Sequence, residues 1–594
     1  MNAERPFIQL SLIYPKGPLP ELKQLSDATV HDLGLDDFVT KLSAKDTEQG
    51  MLRSYLSRLP SDPEVIRYRT GVYRDIASDK KLRETLTALL GKIDFLKSYG
   101  GFRRDSDASG MWDLMHRLDS LSDYCTAIEE IYRCLDSADI SSKGLLALKE
   151  YTGGLYFDKG FQELKKDIDS LGALTSNIKS VTIGINLNRR MEAEGVGIVS
   201  VNSKSFSKSG IISNFSNFLD GKAVKEGNEW NGRMSFQPVA NDSLLQAAAD
   251  ADRLGANAAA AQNPMMARTV VNFGDGEWDR DVVHGMDKTI TQMLSGVAKK
   301  LKDVLSRHVS VSIYEMANLI PELMFYVRYA EYAEKLTAAG MKLCTPEISS
   351  RPETERVMEA EGIYNIRLAC SRLEKLAEGV PESELETIVT NDVTFDCDHR
   401  IYILTGANRG GKTTITQAIG LAFVLAEAGF SVPGTAFRFH PVDAVYTHYP
   451  ADEDKTMDLG RLGEECKRFK AIFTEATEKS LLLLNETFST TSFEEGYYIA
   501  YDAVRAMRKK GMRVIYNTHM HKLARELDSL NAEPGSGRVE SLVSETSDGV
   551  RSYRLKVAPP EGMSYAGDIA KRYGVTYEQL SGEEGQPDER ISGQ

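Results

Sequence analysis

The stretch Gly406–Thr413 reads Gly-Ala-Asn-Arg-Gly-Gly-Lys-Thr and fits the phosphate-binding pattern G-x-x-x-x-G-K-[ST]. In that pattern, successive backbone N–H groups and a helix N-terminus point at one anion. We expect Lys412 to reach the β- and γ-phosphates of ATP, and the Thr413 hydroxyl to hold Mg²⁺. The residues predicted to bind the nucleotide are Gly406, Ala407, Asn408, Arg409, Gly410, Gly411, Lys412, Thr413 and Thr414.

Two more segments carry polar residues at the end of an apolar run. Ser480–Glu486 reads Ser-Leu-Leu-Leu-Leu-Asn-Glu. Glu486 is a candidate catalytic base, because a carboxylate there can polarise water for attack on the γ-phosphate. Asn485 is a candidate metal-supporting residue that should hold Mg²⁺ less firmly than an aspartate, because an amide brings no charge. His519 follows the run Arg513–Asn517 and either positions the γ-phosphate and its water or is structural.

These residues need strands and a helix to position them. Ile401–Leu404 is an apolar run long enough for a buried strand, and residues 414–428 carry apolar side chains at helical spacing. The resulting order of strand, glycine-rich turn and helix favours nucleotide binding over an ordinary turn that contains a lysine.

Composition limits the class of protein. A chain of 594 residues should hold several domains. The net charge of −14 argues against coating nucleic acid by bulk attraction, although a local basic patch can still bind it. The six cysteines are far apart and are expected to be free thiols. Neither a signal peptide nor an apolar run of about 20 residues is evident, so we expect a cytoplasmic protein without a membrane span.

Pattern changes divide the chain into four regions. Residues 1–80 are mixed, residues 81–375 are mainly helical with a strand-rich insert near 181–240, and a charged linker is expected near 345–358. An α/β domain is predicted over 380–560, followed by a helical segment and tail over 561–594. Lysines and phenylalanines alternate in 200–235, which is either a DNA-contacting tip or a solvated loop.

Together the motifs resemble the ATPase domain of the MutS family of DNA mismatch-repair proteins. The family's loop reads Gly-Pro-Asn-Met-Gly-Gly-Lys-Ser, and its sensor strand ends in Ala-Thr-His, where this chain has Asn517-Thr518-His519. Its Gly-Thr-Ser-Thr-x-x-(Asp/Glu)-Gly element is similar to residues 490–496. Its closing Ser-Tyr-Gly-x-x-x-Ala dimerisation segment is similar to Ser564–Ala570, which follows a predicted hairpin over Ser544–Lys556.

The resemblance implies a multidomain fold, in which an α-helical core, lever and clamp region precedes an α/β P-loop ATPase domain of ABC type. It also implies a homodimer with ATP and Mg²⁺ held between the subunits and with a clamp that closes on double-stranded or branched DNA.

Three departures from the family pattern qualify that expectation. Asn485 stands where the family has an aspartate. Gly460 stands at the serine that enters the neighbouring subunit's site, although Glu465 fits the end of that segment. The first Phe-x-Glu triplet, the wedge of mismatch-detecting members, begins at Phe161 within a helical pattern where a core role is expected. With about 380 residues ahead of the ATPase domain, we expect no mismatch-recognition domain.

Two alternatives stay open beside a DNA-acting ATPase. The first is an ATP-gated switch that hydrolyses little or no ATP, which Asn485 and Gly460 favour and Glu486 and His519 oppose. The second is an ATPase that acts on a protein partner, which the acidic balance permits.

Overall fold

A computed structural model describes residues 7–92, 111–175, 180–187, 189, 193–202, 295–307, 314–406, 410–450, 460–547, 550–560 and 573–581. Of the predicted features, the loop residues 407–409, the candidate DNA-contacting stretch beyond residue 202 and the segment Ser564–Ala570 lie outside these ranges. The chain forms two compact units. One contains Met1–Ala88, Cys134–Lys149 and Asn318–Gln594, and the other contains Leu89–Arg133 and Glu150–Ala317.

Helices dominate the middle of the chain, as the periodicity predicts. They are Met111–Ser137, Lys143–Tyr156, Lys159–Thr175, Ser295–Arg307 and Tyr314–Ala338. In the described part of the predicted strand-rich insert, Ser180–Leu187 pairs antiparallel with Ala193–Asn202. Phe161 is buried, and its ring centroid lies 6.2 Å from that of Tyr124, so it is the core residue that the sequence suggested.

A six-stranded sheet forms the centre of the unit that contains Asn318–Gln594. In spatial order its strands are Val445–His448, Leu481–Asn485, Arg513–Asn517, His399–Thr405, Arg538–Ser547 and Val550–Val557. The first five strands are parallel to their neighbours, and the last is antiparallel. The four leucines of Leu481–Asn485 are at most 1% exposed, as expected for a parallel strand that is covered on both faces.

Helices cover this sheet and connect its strands. They are Lys412–Glu427, Gly460–Glu475, Phe493–Lys510, His521–Arg525 and Leu527–Ala532, and a short helix, Tyr577–Ser581, lies near the C-terminus. Helix Lys412–Glu427 confirms the predicted helix after the glycine-rich turn. The predicted hairpin is also present, but its first strand begins at Arg538, six residues before the expected start.

The charged segment near 345–358, expected to be a linker, lies within one compact unit, and its residues Glu347, Ile348 and Met358 belong to a smaller sheet. Its four strands, in spatial order, are Asn391–Phe395, Met358–Ile363, Ala436–Phe439 and Glu347–Ile348. The charged residues mislead because they alternate with buried ones: Met358 and Ala360 point inward, whereas Glu361 is exposed. Strands Leu343–Cys344 and Val432–Pro433 pair beside it, and helix Ile366–Ala377 and the 3₁₀ turns Glu353–Glu355 and Glu382–Glu384 complete this region.

The N-terminal segment packs directly against the large sheet and its first helix. Its strands are Phe7–Ile8, Gly17–Pro18, Leu22–Gln24 and Arg58–Pro60, and its helices are Asp27–Leu33, Leu35–Leu42, Asp46–Leu56, Pro63–Ser78 and Lys80–Lys92. Thr447 donates to the Asp32 carboxylate at 2.6 Å, and Gln417 donates to the Asp32 carbonyl at 2.7 Å. A Cβ at Gly420 would lie 2.6 Å from Leu33, so only glycine allows this helix-to-helix approach.

An aromatic cluster joins three distant parts of the chain. The Phe430 ring stacks on Tyr329 at 4.1 Å between centroids, and it lies 4.6 Å from Phe325 and 5.2 Å from Tyr73. Phe430 is fully buried.

Among the described residues, no helix combines the length and apolar composition needed to cross a membrane. All six cysteines are free thiols.

Replacing Phe430 with Ala should lower the free energy of unfolding by about 3–5 kcal/mol, because a large ring is removed from a closed core. Phe493, which is 53% exposed, is the control. Its replacement with Ala should change stability by about 0.5 kcal/mol or less. Urea denaturation followed by fluorescence measures both variants, and equal midpoints would contradict a stabilising role for the cluster.

Candidate functional site

The phosphate loop, residues 406–413, connects the strand His399–Thr405 to the helix Lys412–Glu427. Gly406 and Gly411 have φ angles of 139° and 79°, which favour glycine. Gly411 caps the helix, and a Cβ there would lie 3.2 Å from the ring of Tyr553. Ser544 donates a hydrogen bond to the Gly410 carbonyl at 3.0 Å, which holds this end of the loop against the neighbouring strand.

Lys412 lies at the start of that helix with its ammonium group turned back over the loop. Its Nζ donates to the Gly406 carbonyl at 2.9 Å, and the residue is 6% exposed. Burial lowers the pKa of Lys412, and the nearby Glu486 carboxylate opposes that shift. A buried cation at the N-terminus of a helix is well placed to attract an anion.

Thr413, Asn485 and Asn517 form a hydrogen-bonded cluster where three elements meet. Asn485 Oδ1 accepts from the Thr413 hydroxyl at 3.2 Å, and it also accepts from the Asn517 amide nitrogen. The two asparagines end neighbouring parallel strands and stand opposite each other in the ladder. The contact between Asn485 and Thr413 places the predicted metal-supporting residue beside the predicted metal ligand. Asn517 was not among the predicted site residues, since only its place at a strand end pointed to it.

Glu486 follows directly after the strand Leu481–Asn485 and has a left-handed backbone, with φ of 51°. Such a conformation costs a non-glycine residue roughly 1–2 kcal/mol. The hydrogen bond from Glu486 N–H to the Asn517 carbonyl, 2.8 Å long, helps to hold it. Burial raises the pKa of Glu486, and this rise is opposed by Lys412 and by a hydrogen bond from the His519 backbone.

His519 lies beside Glu486, as the alignment of strand ends predicted. Its Nε2 is 3.2 Å from Glu486 Oε1. Burial, with the charge of Lys412, lowers the pKa of His519 to about 4, so the ring is neutral near pH 7. The contact is therefore a hydrogen bond from a neutral imidazole, and an ionised Glu486 places the ring proton on Nε2.

One cleft of about 620 Å³ is lined by all the predicted site residues except Gly406 and residues 407–409, the latter being outside the described ranges. On one side lie Gly410, Gly411, Lys412, Thr413, Thr414, Asn485, Glu486, Asn517 and His519. The opposite wall was missed by sequence reasoning and includes Leu368, Arg372, Lys375, residues 385–389 and Tyr553. No local spacing could have revealed this wall, because it combines one helix, one loop and a strand from distant parts of the chain.

A hydrogen-bond network ties helix Gly460–Glu475 to the residues that follow Glu486. Gly460 is the first residue of helix Gly460–Glu475, and residues 451–459 lie outside the described ranges. Glu465 accepts from the Thr490 hydroxyl at 2.9 Å. His448 bridges the Thr487 hydroxyl, at 3.0 Å, and the Glu465 carbonyl, at 3.2 Å. A displacement of helix Gly460–Glu475 would therefore change the hydrogen bonds of Thr487 and Thr490, which follow Glu486.

The fold and the cleft define an α/β domain whose candidate site lies at the carboxyl edge of a largely parallel sheet. Residues 402–571 match the model of MutS domain V, the ATPase domain of that family. Over these residues the chain is similar to the MutS family.

Curated relatives align over a larger part of the chain. The chain is 28% identical over 308 residues to the DNA mismatch repair protein MutS of Methanococcoides burtonii, covering 51% of this chain and 32% of that protein. It is 28% identical over 263 residues to the DNA mismatch repair protein MutS 2 of Halobacterium salinarum, covering 42% of this chain and 28% of that protein. It is 31% identical over 191 residues to the DNA mismatch repair protein MutS of Chlorobium limicola, covering 32% of this chain and 22% of that protein. The aligned parts thus span about a third or less of these relatives.

Replacing Lys412 with Ala should abolish ATP binding or weaken it at least about tenfold, because the variant lacks the buried cation over the loop. Lys479→Ala is the matched control, since that lysine is half-exposed and precedes the same sheet's strand Leu481–Asn485 at the opposite edge. Calorimetric titration with ATP measures both. An unchanged affinity in Lys412→Ala would exclude the phosphate loop as the nucleotide site.

Proposed function

We propose that the chain is a Mg²⁺-dependent ATPase of MutS type that works as a homodimer on double-stranded or branched DNA. The convergence of Lys412, Thr413, Asn485, Glu486 and His519 on one cleft carries this proposal. These residues come from three separate segments that the sequence had assigned to one reaction. A fold that used them only structurally would not need to place all five around the same space.

Nucleotide binding follows from the geometry of the loop. The triphosphate would lie along the N-terminus of helix Lys412–Glu427, where backbone N–H groups and the helix dipole favour negative charge. Lys412 would exchange the Gly406 carbonyl for phosphate oxygens. The base and sugar would lie against the opposite wall, where the half-exposed Tyr553 ring offers a stacking surface and Leu368 an apolar contact.

The cleft fits Mg²⁺ by its donor chemistry. Thr413 Oγ1 and the side-chain oxygen of Asn485 are hard donors in contact with each other. Thr413 would be a direct ligand, and Asn485 would act through water. Bound Mg²⁺ would supply positive charge at the β- and γ-phosphates.

Hydrolysis would use Glu486 as general base. Its raised pKa keeps the carboxylate basic enough to accept a proton from the attacking water. The neutral His519 ring would orient the carboxylate through its Nε2 proton. Lys412 would stabilise charge that develops on the phosphate oxygens.

Glu486→Gln keeps the side-chain shape but removes the base. Single-turnover hydrolysis should fall by roughly 10²–10⁴-fold while ATP still binds. The wild-type rate of hydrolysis should also decline as pH is lowered through the raised pKa of Glu486, since protonation removes the base. The rate of the variant should not show this decline. Glu494→Gln, an exposed carboxylate in the next helix, is the control. Equal rates for wild type and Glu486→Gln would show that Glu486 is not the base.

Assembly as a homodimer is supported by exposed apolar side chains near the C-terminus. Tyr573, Val575, Tyr577 and Leu580 are 54–73% exposed and lie within eight residues of one another in the chain. They follow the segment that resembles the family's dimerisation element. Burying them against a second copy would remove their apolar area from water.

Replacing Tyr577 and Leu580 together with Ser should shift the protein from dimer to monomer and weaken hydrolysis, if the ATP sites need both subunits. Light scattering with and without ATP measures the mass. Leu146→Ser, at another exposed apolar side chain, is the control and should leave the mass unchanged. A double variant that stays dimeric would remove this segment from the interface.

DNA binding is tested separately with branched, duplex and single-stranded DNA across a salt titration, because phosphate contacts weaken as salt rises. Failure of wild-type protein to bind any of them at low salt would favour an ATPase that acts on a protein partner.

A second candidate function is an ATP-gated switch with little hydrolysis. The observation that favours it is Asn485, whose neutral amide replaces a charge beside the metal position. The single-turnover experiment separates the two: a wild-type rate no faster than that of Glu486→Gln supports the switch.

A further inference from the structure

Two departures from the family sequence lie side by side in this structure. Asn485 replaces an aspartate, and Asn517 replaces the alanine before the sensor Thr-His pair. Their side chains are hydrogen-bonded to each other across neighbouring strands. The two replacements therefore form one physical unit, and what Asn485 can do depends on Asn517.

An amide differs from a carboxylate in having one oxygen and one nitrogen at its end. A carboxylate accepts hydrogen bonds in either orientation, whereas an amide accepts in only one. If the Asn485 amide were flipped, its nitrogen would face the Asn517 nitrogen, and two donors would oppose each other. The Asn517 donor thus selects the orientation in which Asn485 Oδ1 faces Thr413.

That orientation decides what the Thr413 hydroxyl can offer. Asn517 Nδ2 donates to Thr413 Oγ1 at 3.4 Å, so when Thr413 donates its own proton to Asn485 Oδ1, one lone pair of Thr413 Oγ1 is left for a metal. With Asn485 flipped, its nitrogen would donate to Thr413 Oγ1 and occupy that remaining lone pair. The chain Asn517, Asn485, Thr413 therefore sets the direction of each hydrogen bond in turn.

Asn517 is held firmly enough to set that direction. The residue is 1% exposed, and its strand pairs on both sides, opposite Leu404 and Asn485. Its carbonyl accepts from Glu486 N–H at 2.8 Å. Its amide nitrogen donates to both Asn485 Oδ1 and Thr413 Oγ1, whereas a flipped Asn517 would turn its oxygen toward the Asn485 oxygen.

We propose that Asn517 is a positioning residue for Mg²⁺ in this chain: its amide nitrogen orients the Asn485 side chain so that Asn485 Oδ1 faces Thr413. This rests on the proposed ATP–Mg²⁺ function. The site thereby replaces one charged side chain with two neutral, mutually oriented ones.

The test is a double-mutant cycle on Asn485→Asp and Asn517→Ala. The readout is the Mg²⁺ concentration that half-saturates binding of a non-hydrolysable ATP analogue, measured by calorimetry. Asn517→Ala alone should raise that concentration by about tenfold, as loss of an outer-shell partner does. Asn485→Asp alone should lower it, because a charge is restored. In the Asn485→Asp background, Asn517→Ala should change it by less than about threefold, since a carboxylate needs no orienting donor.

Matched variants separate positioning from folding. Asn517→Val fills more of the space than alanine, suits a strand and removes both polar atoms, so it should repeat the Asn517→Ala shift. Asn531→Ala removes an amide that bonds both backbone groups of Val539, and it should cost stability without moving the Mg²⁺ dependence. EPR of Mn²⁺ in place of Mg²⁺ gives a second readout independent of hydrolysis.

Each outcome decides the proposal. Equal shifts in both backgrounds, or no shift with either Asn517 variant, would overturn it and leave Asn517 a buried packing residue. ATP binding by wild type with an unmoved Mg²⁺ dependence overturns this inference alone. Absence of ATP binding by wild type overturns the nucleotide function and this inference together.

Discussion

Asn517 stands opposite Leu404 on one side and Asn485 on the other, in a ladder of three parallel strands. Because the three strands run the same way, their carboxyl ends reach the same edge of the sheet. The phosphate loop leaves one of them, Glu486 follows another, and His519 lies two residues beyond the third. A shift of this register by one residue would separate Thr413 from Asn485 and turn alternate side chains to the other face.

The sheet edge is rigid because the chain packs closely behind it. Helix Lys412–Glu427 approaches the N-terminal segment at Gly420, where Leu33 and Leu483 leave no room for a side chain. A Cβ at Gly429 would lie 2.5 Å from Arg69, and Arg69 donates to the Glu427 carbonyl at 3.2 Å. Contacts with the N-terminal segment therefore hold helix Lys412–Glu427 at its middle and near its C-terminal end. Residues near the N-terminus thus help to position the site.

The charged groups beside Thr413 are Lys412 and Glu486, and burial acts on both. Burial lowers the pKa of Lys412 and raises the pKa of Glu486, so each group holds its charge against a desolvation cost and each supports the other. His519 is neutral near pH 7, and two amides occupy the place beside Thr413. The cleft thus presents the buried Lys412 cation, with Arg372 and Lys375 also in its lining, to an incoming triphosphate. The proposed ATPase and the alternative switch share this binding chemistry and differ only in whether Glu486 acts as a base.

The sequence by itself determined the phosphate loop, the helix after it and the strands that end at Asn485 and Asn517, because each is a local pattern of apolar runs, glycines and polar ends. It also indicated Glu486 and His519, since parallel strands align their ends. Only the tertiary structure decided that Asn517 bonds Asn485, because that contact depends on which strands are neighbours. Tertiary structure also decided the wall with Tyr553, the strand pairing of the charged stretch near 345–358, and the packing of the N-terminal segment on the α/β domain. These features join residues far apart in the chain, and their energies come from burial and register, which local residue patterns do not encode.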